Sequence, residues 1–406
     1  MTQSPSLGAL SGVTVIDLSR VLGGPYATQI LGDHGAEVIK IEPPQGDETR
    51  EWGPPFQEEE DALRGASAYY VNINRNKRGL ALDLSLPAAR AVLLRLLGRA
   101  DVLVENFKIG TLEKWGLGYE AVLAKQFPRL IHARVTGFGA EGPFGGYPGY
   151  DAVIQTMSGL SSANGSPASG PVKLGVPIVD MATGLNLVIG ILLALREREK
   201  SGRGQFVEAA LYDAGLSILH PHSGNYLMGG TLPQLMGNAH PNLAPYDLFP
   251  TRTRPIFLGI GNEGQFRKAM AVLNAAALPS DPRFDTVAKR NANRVALTAL
   301  LTELLADKDG VALAKAMLDA GVPAGTLNNV AEALHDAQTT ARGMVVEKDG
   351  YKGIGAPIKL SRSQTSVRQV PPRFNEHGDA ILSEAGFSAD EIEQLAGSGA
   401  YVREKR

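Results

Sequence analysis

The alternation of short apolar runs with helical patterns in the first third of the chain constrains the fold most. Residues 13–18, 37–41 and 102–104 predict buried strands, and Pro87–Leu97 carries helical spacing. Pro25 suits the first turn of another helix that ends near Asp33. Because strands that alternate with helices form parallel sheets covered on both faces, we predict an α/β fold with a parallel sheet.

Glycine is unusually frequent, with 47 of the 406 residues, about 12% against a usual ~7%. Many of these residues fall with proline in three segments, residues 139–149, 159–175 and 236–245. Such segments predict shaped loops in which the backbone approaches a ligand closely.

The balance of charges and the absence of cysteine exclude several classes of function. Lys and Arg total 40 against 42 Asp and Glu, and a nucleic-acid-binding surface needs a basic excess. We therefore predict no nucleic-acid partner. Cysteine does not occur, which excludes disulfides, thiolate metal ligands and a cysteine nucleophile.

The N-terminus, residues 1–10, has neither a basic start nor an apolar core, which predicts that no signal peptide is present. The most apolar stretch, residues 185–195, contains Asn186 and Gly190 and is shorter than the ~20 residues of a membrane span. We expect a soluble cytoplasmic protein with no membrane partner.

Motifs of several enzyme classes are missing from the sequence. No Gly-x-Gly-x-x-Gly turn follows a predicted strand, and no Gly-x-Ser-x-Gly elbow occurs. His220 and His222 are two residues apart, a poor spacing for two ligands on one helix face, and no His-Glu-x-x-His pattern is found. We predict no metal site.

Asp180 precedes a long apolar segment, residues 182–200, which predicts a helix. Aspartate is among the best N-cap residues, so a purely structural role is one interpretation. A helix N-terminus also stabilises negative charge, so the carboxylate could remain ionised and act as a nucleophile. The residue alone does not decide between these interpretations.

Asn76, Lys77 and Arg78 form a small basic cluster, and Lys108 and Lys114 lie further along the chain. A solvated surface is one explanation for this cluster. The other is a patch that binds the phosphates of a nucleotide-bearing ligand.

A series of motifs spanning nearly the whole chain resembles the family III coenzyme A transferases, the CaiB/BaiF group that includes carnitine-CoA and formyl-CoA transferases. Each motif is short, but they occur in the family's order. They are LSGVTVIDL at 10–18, GPYAT at 24–28, LGD at 31–33, GAEVIKIE at 35–42, NRNKR at 74–78, VENF at 104–107, GYD at 149–151, GRGQ at 202–205, GNAHPN at 237–242, GVP at 321–323 and GAP at 355–357.

The resemblance implies that Asp180 is the nucleophile, which carries CoA as a covalent thioester. It also implies a set of CoA contacts, in which Lys114 stands where some members have Arg and Pro43 replaces a further contact that is often Arg. Acyl-CoA is then a substrate, and no permanently bound cofactor is expected. The residues implied to bind CoA are Asn76, Lys77, Arg78, Asn106 and Lys114.

Other residues are implied to support the site. Trp52 matches an aromatic residue that lies over the active site in the formyl-CoA transferase, and residues 236–245, with Gly237, resemble a glycine-rich lid. Asp151 could orient Asp180 or cap a second helix. The usual Gly-Glu-His-Thr near the C-terminus reads Asn-Glu-His-Gly here, so no role is carried over to His377.

The segments 47–56, 149–153 and 238–246 look most like members that use succinyl-CoA as donor and a dicarboxylic acid as acceptor. The second carboxylate of such an acid needs a cation or several hydrogen-bond donors. Arg50 and His240 are the candidates, although a loop salt bridge is the alternative for Arg50.

Two other functions remain open from the sequence. The racemases of the same superfamily place a His before the Asp of the 149–151 motif, where this chain has Tyr150. A phenol ordinarily titrates near pH 10 and is a poor base near neutral pH. A racemase of 2-methylacyl-CoA and a non-catalytic CoA-binding protein are therefore the alternatives.

The resemblance also implies an architecture. We expect a large Rossmann-like domain from residues 1–200 and 330–406 and a smaller α+β domain from residues 225–325. Residues 201–224 and 326–335 would be linkers. An interlocked homodimer is expected by resemblance alone.

Overall fold

The computed structural model describes residues 8–57 and 66–405. Most of the segment on which the absence of a signal peptide was predicted, residues 1–7, lies outside the described residues. Contacts divide the chain into two compact units. The first consists of the described residues through Ser158, Leu174–Leu219 and the described residues from Ala337 onward, and the second of Gly159–Lys173 and His220–Asp336.

Short strands occur in both units, and single turns of 3-10 or π helix lie at Glu48–Glu51, Tyr119–Leu123 and Leu278–Ser280. In chain order the strands are β1 (Thr14–Asp17), β2 (Glu37–Glu42), β3 (Lys77–Ala81), β4 (Val102–Glu105), β5 (Ile131–Thr136), β6 (Gly165–Ser166), β7 (Gly170–Pro171), β8 (Phe206–Ala210), β9 (Tyr246–Phe249), β10 (Ile256–Gly259), β11 (Ala324–Thr326), β12 (Val345–Lys348) and β13 (Tyr351–Ile354).

The helices connect these strands and form most of the second unit. They are α1 (Gly23–Asp33), α2 (Ala68–Val71), α3 (Pro87–Leu97), α4 (Thr111–Lys114), α5 (Ala124–Gln126), α6 (Asp151–Met157), α7 (Leu160–Ala163), α8 (Ile178–Ser201), α9 (Leu211–Ser217), α10 (His222–Gly229), α11 (Glu263–Val272), α12 (Val287–Ala292), α13 (Arg294–Leu305), α14 (Gly310–Asp319), α15 (Val330–His335), α16 (Ala337–Ala341), α17 (Gly378–Glu384) and α18 (Ala389–Gly397).

The first unit is built on a sheet of six described strands in the order β3-β2-β1-β4-β5-β8, and every neighbouring pair is parallel. The predicted α/β fold with a parallel sheet is thus confirmed. The order reverses between β1 and β4, and in doubly wound sheets ligands bind in the crevice at that point. The segment 201–224, predicted to be a linker, instead contains the edge strand β8 and helix α9.

One face of the sheet packs against helices from both ends of the chain. Ile16, Leu80 and Leu103 from the strands form one buried cluster with Leu93 of α3 and Ile381 of α17. Each of these side chains is at most 1% exposed. This core therefore ties the C-terminal segment to the N-terminal sheet.

The second unit contains a small antiparallel sheet in the order β11-β10-β9. Phe249 and Leu258 from this sheet pack with Phe266 of α11, Leu301 of α13 and Met317 of α14. A separate hairpin pairs β6 with β7 in the same unit.

Helix α8 is longer than the apolar stretch 185–195 on which the absence of a membrane span was predicted. Its 24 residues include an 18-residue window of mean hydropathy 2.1, so it could cross a membrane by length and composition, and 44% of that window is buried within the chain. Core helices of soluble proteins pass the same test, so this is weak evidence for a membrane span. The absence of a membrane partner stays a prediction.

Candidate active site

A cavity of ≈ 350 Å³ opens where the strand order of the parallel sheet reverses. Residues 20–23, which follow β1, and residues 106–109, which follow β4, both line it. Small-molecule sites typically have volumes of roughly 300–1,000 Å³. The size and place of this cavity in the first unit make it the candidate active site.

Asp180 reaches this cavity from the first turn of α8. It is the third residue of the helix, which begins at Ile178, so it is not the N-cap residue that one interpretation of the sequence required. Its carboxylate has no hydrogen bond or ion pair within residues 8–57 and 66–405. A Cβ added to Gly23 would lie 3.7 Å from its Oδ1, so glycine leaves space beside the carboxylate.

The side chain of Asp151 caps α8 instead. Its Oδ2 accepts hydrogen bonds from the backbone N–H groups of Val179 at 2.8 Å and Asp180 at 3.1 Å. Its Oδ1 accepts one from Nε2 of Gln155 at 2.6 Å. Asp151 therefore holds the backbone that carries Asp180 and places a second negative charge next to it.

The surroundings of Asp180 favour its protonated form. Burial is the larger cause and the Asp151 carboxylate the second, and together they raise the pKa of Asp180 to about 7. The same two carboxylates, after burial, raise the pKa of Tyr69 to about 12. Trp52 packs edge-on against Tyr69 with ring centroids 5.2 Å apart.

The loop after β1 is held by two side chains, those of Asn106 and Lys40. Asn106 accepts a hydrogen bond from the N–H of Arg20 at 3.0 Å and donates one to its carbonyl at 2.7 Å. The Nζ of Lys40 donates to the carbonyl of Ser19 at 2.9 Å. Val21 has a φ of 70°, a value rare for β-branched residues. These bonds hold the loop in a conformation that directs Arg20 towards the cavity.

Comparison with known proteins assigns this chain to a family. The model of CoA-transferase family III matches residues 10–378. This chain belongs to that family. The resemblance stated from the motifs is confirmed, and with it the prediction of a CoA-transferase, for which CoA thioesters are substrates.

Several relatives are similar over almost their whole length. The succinate–glutarate CoA-transferase of Agrobacterium fabrum is 40% identical over 92% of this chain and 95% of its own. The succinyl-CoA:mesaconate CoA-transferase of Haloarcula hispanica is 34% identical over 94% of this chain and 97% of its own. A CaiB/BaiF family protein from Brucella suis has a TM-score of 0.83 and 42% identity, with 93% of this chain and 100% of that chain covered.

Of the residues predicted from the sequence, Asn106 and Tyr150 line the cavity together with Asp180. Lys108, which the sequence analysis named with the basic cluster, lines it as well. Lys114 ends α4, on the same connection from β4 as Asn106. Its exposed side chain is placed outside the cavity lining.

The structure corrects the interpretation of Lys77 as a CoA contact. Lys77 is fully buried, and its Nζ donates to Asp17 at 3.1 Å, to the carbonyl of Pro25 and to Asn74. Burial lowers the pKa of Lys77 to about 8, although Asp17 opposes this change. A side chain whose donors are all used inside the sheet is not available to a CoA phosphate.

Asn76 and Arg78 are also occupied by other residues of the chain. They stand at the start of β3, at the opposite end of the parallel sheet from the cavity. Asn76 donates from Nδ2 to Asp33 at 2.8 Å and is 2% exposed. Arg78 is paired with Glu37 and Glu384. The prediction that these two side chains bind CoA with Asp180 is therefore not supported by their positions in this unit.

Arg50 is likewise not free to bind a substrate carboxylate. It is 4% exposed, and its guanidinium forms a two-point contact with Glu42 at 2.8 and 2.7 Å. It also donates to the hydroxyl of Tyr70 and the carbonyl of Pro372. The alternative interpretation, a salt bridge, describes Arg50 correctly.

Gly237 and His240 lie in the second unit. The N–H of Gly237 donates to the carbonyl of Gly165 at 2.8 Å, and Gly237 has a φ of 64°. The carbonyls of His240 and Leu243 accept from Nη2 of Arg294 at 2.6 and 3.1 Å. Burial, followed by the charge of Arg294, lowers the pKa of His240. These hydrogen bonds connect the segment 236–245 to other residues of its own unit, and its role as a lid stays a prediction.

Sequence reasoning missed several residues of the cavity. Arg20 and Glu48 line it, and the charges of Asp180 and Asp151 raise the pKa of Tyr69. Arg20 could have been found from its place directly after an apolar strand, because carboxyl ends of parallel strands form such sites. Among the described residues, no group of three or more His, Cys, Asp or Glu side chains could hold a metal ion.

Proposed function

We propose that this protein transfers CoA from succinyl-CoA to a dicarboxylic acid through a thioester formed on Asp180. The observation that supports this proposal most directly is the carboxylate of Asp180, which has no hydrogen-bond or ion-pair partner among the described residues. It lies in the cavity where the strand order of the sheet reverses, in a chain that belongs to CoA-transferase family III. The relatives from Agrobacterium fabrum and Haloarcula hispanica, whose names specify succinate, glutarate and mesaconate, support this choice of donor and acceptor.

The first half of the reaction loads CoA onto the protein. A carboxylate oxygen of Asp180 attacks the thioester carbonyl of succinyl-CoA, the carbon–sulfur bond breaks, and a mixed anhydride and CoA thiolate result. The thiolate then attacks the aspartyl carbonyl. Succinate leaves with the electron pair of the broken anhydride bond, and Asp180 holds CoA as a thioester. Covalent catalysis thus divides one difficult exchange into easier steps.

The second half regenerates the carboxylate. A carboxylate of the acceptor attacks the aspartyl thioester, which gives a new mixed anhydride and CoA thiolate. The thiolate attacks the acceptor's acyl carbonyl, so that the new acyl-CoA leaves and Asp180 is free again. The atoms balance without an oxidant or a proton donor, because each step exchanges one acyl bond for another.

The cavity suits these steps in two respects. Glycine at positions 23, 137, 146 and 149 of the lining lets a thioester approach the backbone closely. Although burial and Asp151 raise the pKa of Asp180 to about 7, part of the carboxyl group is still ionised at neutral pH. An ionised carboxylate in poorly solvated surroundings is a stronger nucleophile than one that is fully hydrated.

The deciding experiment measures transfer and the intermediate together. The protein is mixed with succinyl-CoA and a panel of mono- and dicarboxylic acids, and new acyl-CoA is detected by mass. Intact protein incubated with succinyl-CoA alone should gain the mass of CoA less one water. Asp180→Asn should abolish both signals, whereas Asp213→Asn, which alters an exposed carboxylate of α9, should retain both.

Three results would contradict the proposal. Transfer by Asp180→Asn at the native rate would exclude the covalent role of Asp180. Exchange of the α-proton of a 2-methylacyl-CoA without transfer would indicate the racemase, and would require a base other than Tyr150. Binding of CoA with no transfer to any acid would indicate a non-catalytic CoA-binding protein.

We also propose that the protein is a homodimer. Leu185, Ile189, Leu192 and Leu193 of α8 are 46%, 54%, 41% and 65% exposed, and their spacing places them along one side of the helix. Contiguous exposed apolar side chains usually mark an interface.

Sedimentation of the native protein should give twice the chain mass, and the double variant Ile189→Asp with Leu193→Asp should give the mass of the monomer. Binding of the unaltered protein to lipid vesicles as a monomer would contradict the dimer.

A further inference from the structure

One of the basic side chains that line the cavity beside Asp180, Arg20, forms no ion pair with residues 8–57 or 66–405. Four charged side chains line this cavity, Arg20, Glu48, Lys108 and Asp180. Glu48 and Lys108 are exposed, whereas Arg20 is partly buried. The Nε of Arg20 is buried and has no hydrogen-bond partner within the described chain.

Such an arrangement is unusual for an arginine. A buried donor on a charged group is costly to leave unpaired, so an acceptor normally accompanies it. The carboxylate of Glu48 lines the same cavity, yet neither it nor Asp180 forms an ion pair with Arg20 among the described residues. The missing acceptor is therefore one that a ligand can supply.

The backbone of Arg20 is held more firmly than its side chain. Asn106 binds both its N–H and its carbonyl, and Lys40 binds the carbonyl of the preceding Ser19. The N–H of the following Val21 points to Asp47 at 3.4 Å. A side chain that starts from so fixed a backbone loses less freedom when it binds a ligand.

We propose that Arg20 binds the distal carboxylate of the dicarboxylic acid, the role that the sequence suggested for Arg50. This inference rests on the proposed function and names the residue that selects its substrates. One carboxylate of the acid reacts at Asp180. The planar guanidinium of Arg20, which lines the same cavity, donates two parallel hydrogen bonds to the other carboxylate. A monocarboxylic acid leaves Arg20 unpaired and binds less well.

A CoA phosphate is the competing anion. Arg20 shares a compact cavity with the reacting carboxylate, and it is less exposed than Lys108 in the same lining. The phosphates of CoA lie at the far end of a long pantetheine arm from the thioester. A cation that lines the same cavity as the reacting carboxylate therefore favours the acyl group over the phosphates.

The test compares two acids of equal length, glutarate and pentanoate, in the protein as it stands and in Arg20→Gln. We expect the KM for glutarate to rise about tenfold or more, the loss that follows removal of a hydrogen bond to a charged group. The KM for pentanoate and the inhibition constant of free CoA should stay within about twofold. Arg252→Gln, which removes a side chain 61% exposed in the second unit, is the control.

Arg20→Lys keeps the charge but loses the paired donors, so its KM for glutarate should fall between those of the native protein and Arg20→Gln. This variant also decides the matter if Arg20→Gln does not fold. An equal loss of affinity for free CoA and glutarate would make Arg20 a phosphate ligand and overturn the proposal. Equal effects on glutarate and pentanoate would also overturn it.

Failure of the proposed function gives a different result. The unaltered protein would then transfer CoA to neither acid. In that case, calorimetry still tests the role of Arg20. It compares the affinities of the native protein and Arg20→Gln for glutarate and for pentanoate. A selective loss of glutarate affinity supports the role, and unchanged glutarate affinity contradicts it.

Discussion

Two sets of charged side chains in the first unit have opposite properties. Asp17 and Asp47 are fully buried, and each lies within 3.1 Å of a lysine Nζ, Lys77 and Lys40 respectively. The charged neighbour of Asp180 is instead another carboxylate, that of Asp151. The first set forms what we call the buried charge cluster, and the second the carboxylate pair.

Burial acts on both sets in the same direction, but the neighbours decide the outcome. Burial opposes the ionisation of Asp17, yet the charges of Lys77 and Lys40, together with hydrogen bonds from Ser19 and Thr28, outweigh it, and the pKa of Asp17 is lowered. For Asp180, burial and the like charge of Asp151 act together, and the pKa rises to about 7. The carboxylates of Asp17 and Asp47 are therefore engaged with lysines inside the fold, whereas that of Asp180 has no such partner among the described residues and is open to a substrate.

The largest expected effect comes from breaking the buried charge cluster. Asp17→Asn leaves Lys77 fully buried without its anion, which should lower the free energy of unfolding by about 3–5 kcal/mol. Thermal and urea unfolding measure this loss. In contrast, Asp319→Asn breaks the exposed pair with Lys315, whose side chains are 64% and 75% exposed, and should change stability by less than about 1 kcal/mol.

A second variant tests whether the lost charge is the cause. Asp17→Asn combined with Lys77→Met removes both charges and should recover a large part of the loss, because no unpaired charge then remains in the sheet. A double variant that is no more stable than Asp17→Asn alone would attribute the effect to the hydrogen bonds of Asp17 with Ser19 and Thr28.

The sequence was a good guide to the sheet because its signals are local. Residues 37–41 and Pro87–Leu97 carry their structure in their own apolar spacing, and the structure places β2 and α3 there. The site is different, because its partners are distant in the chain. The cap of α8 comes from Asp151, 29 residues before Asp180. No local pattern shows that the cap position of Asp180 is already taken.

The basic residues were misinterpreted for the same reason. Lys77 and Arg78 are neighbours in the sequence, but in a strand they face opposite sides of the sheet. The partner of Lys77, Asp17, is 60 residues away. Arg50 is surrounded by Glu42 and by Tyr70, 20 residues later. Charge alone could not reveal that these cations are used within the fold, whereas Arg20 is not.

The carboxylate pair predicts a smaller effect on stability, with the opposite sign. The folded pKa of Asp180, about 7, is above its ordinary value of 3.8. The folded state therefore binds this proton more tightly, and the resulting stability is fully present below pH 3.8 and is lost as the pH rises through about 7. Asp180→Asn removes this dependence.

We therefore expect Asp180→Asn to be more stable than the native protein at pH 8 by about 1–3 kcal/mol. The difference should shrink as the pH falls towards 5. Thermal unfolding of the two proteins across this range measures it, with Asp213→Asn as the control that should show no such trend. A variant less stable than the native protein at pH 8 would show that the ionised carboxylate is stabilised by a neighbour, as in the buried charge cluster.

The smallest effect separates the two causes that act on Asp180. Asp151→Asn keeps an oxygen that can accept from the N–H groups of Val179 and Asp180, but it removes the like charge. The pKa of Asp180 should then fall. The rising limb of kcat/KM against pH, which we expect near pH 7 for the native protein because the pKa of Asp180 is about 7, should move to lower pH. Because burial is the larger cause, the limb should stay above the ordinary range of an aspartate. If the rising limb of kcat/KM stays at the same pH, Asp151 acts on Asp180 only by positioning the helix. Its negative charge would then not be a cause of the difference between Asp180 and the buried charge cluster.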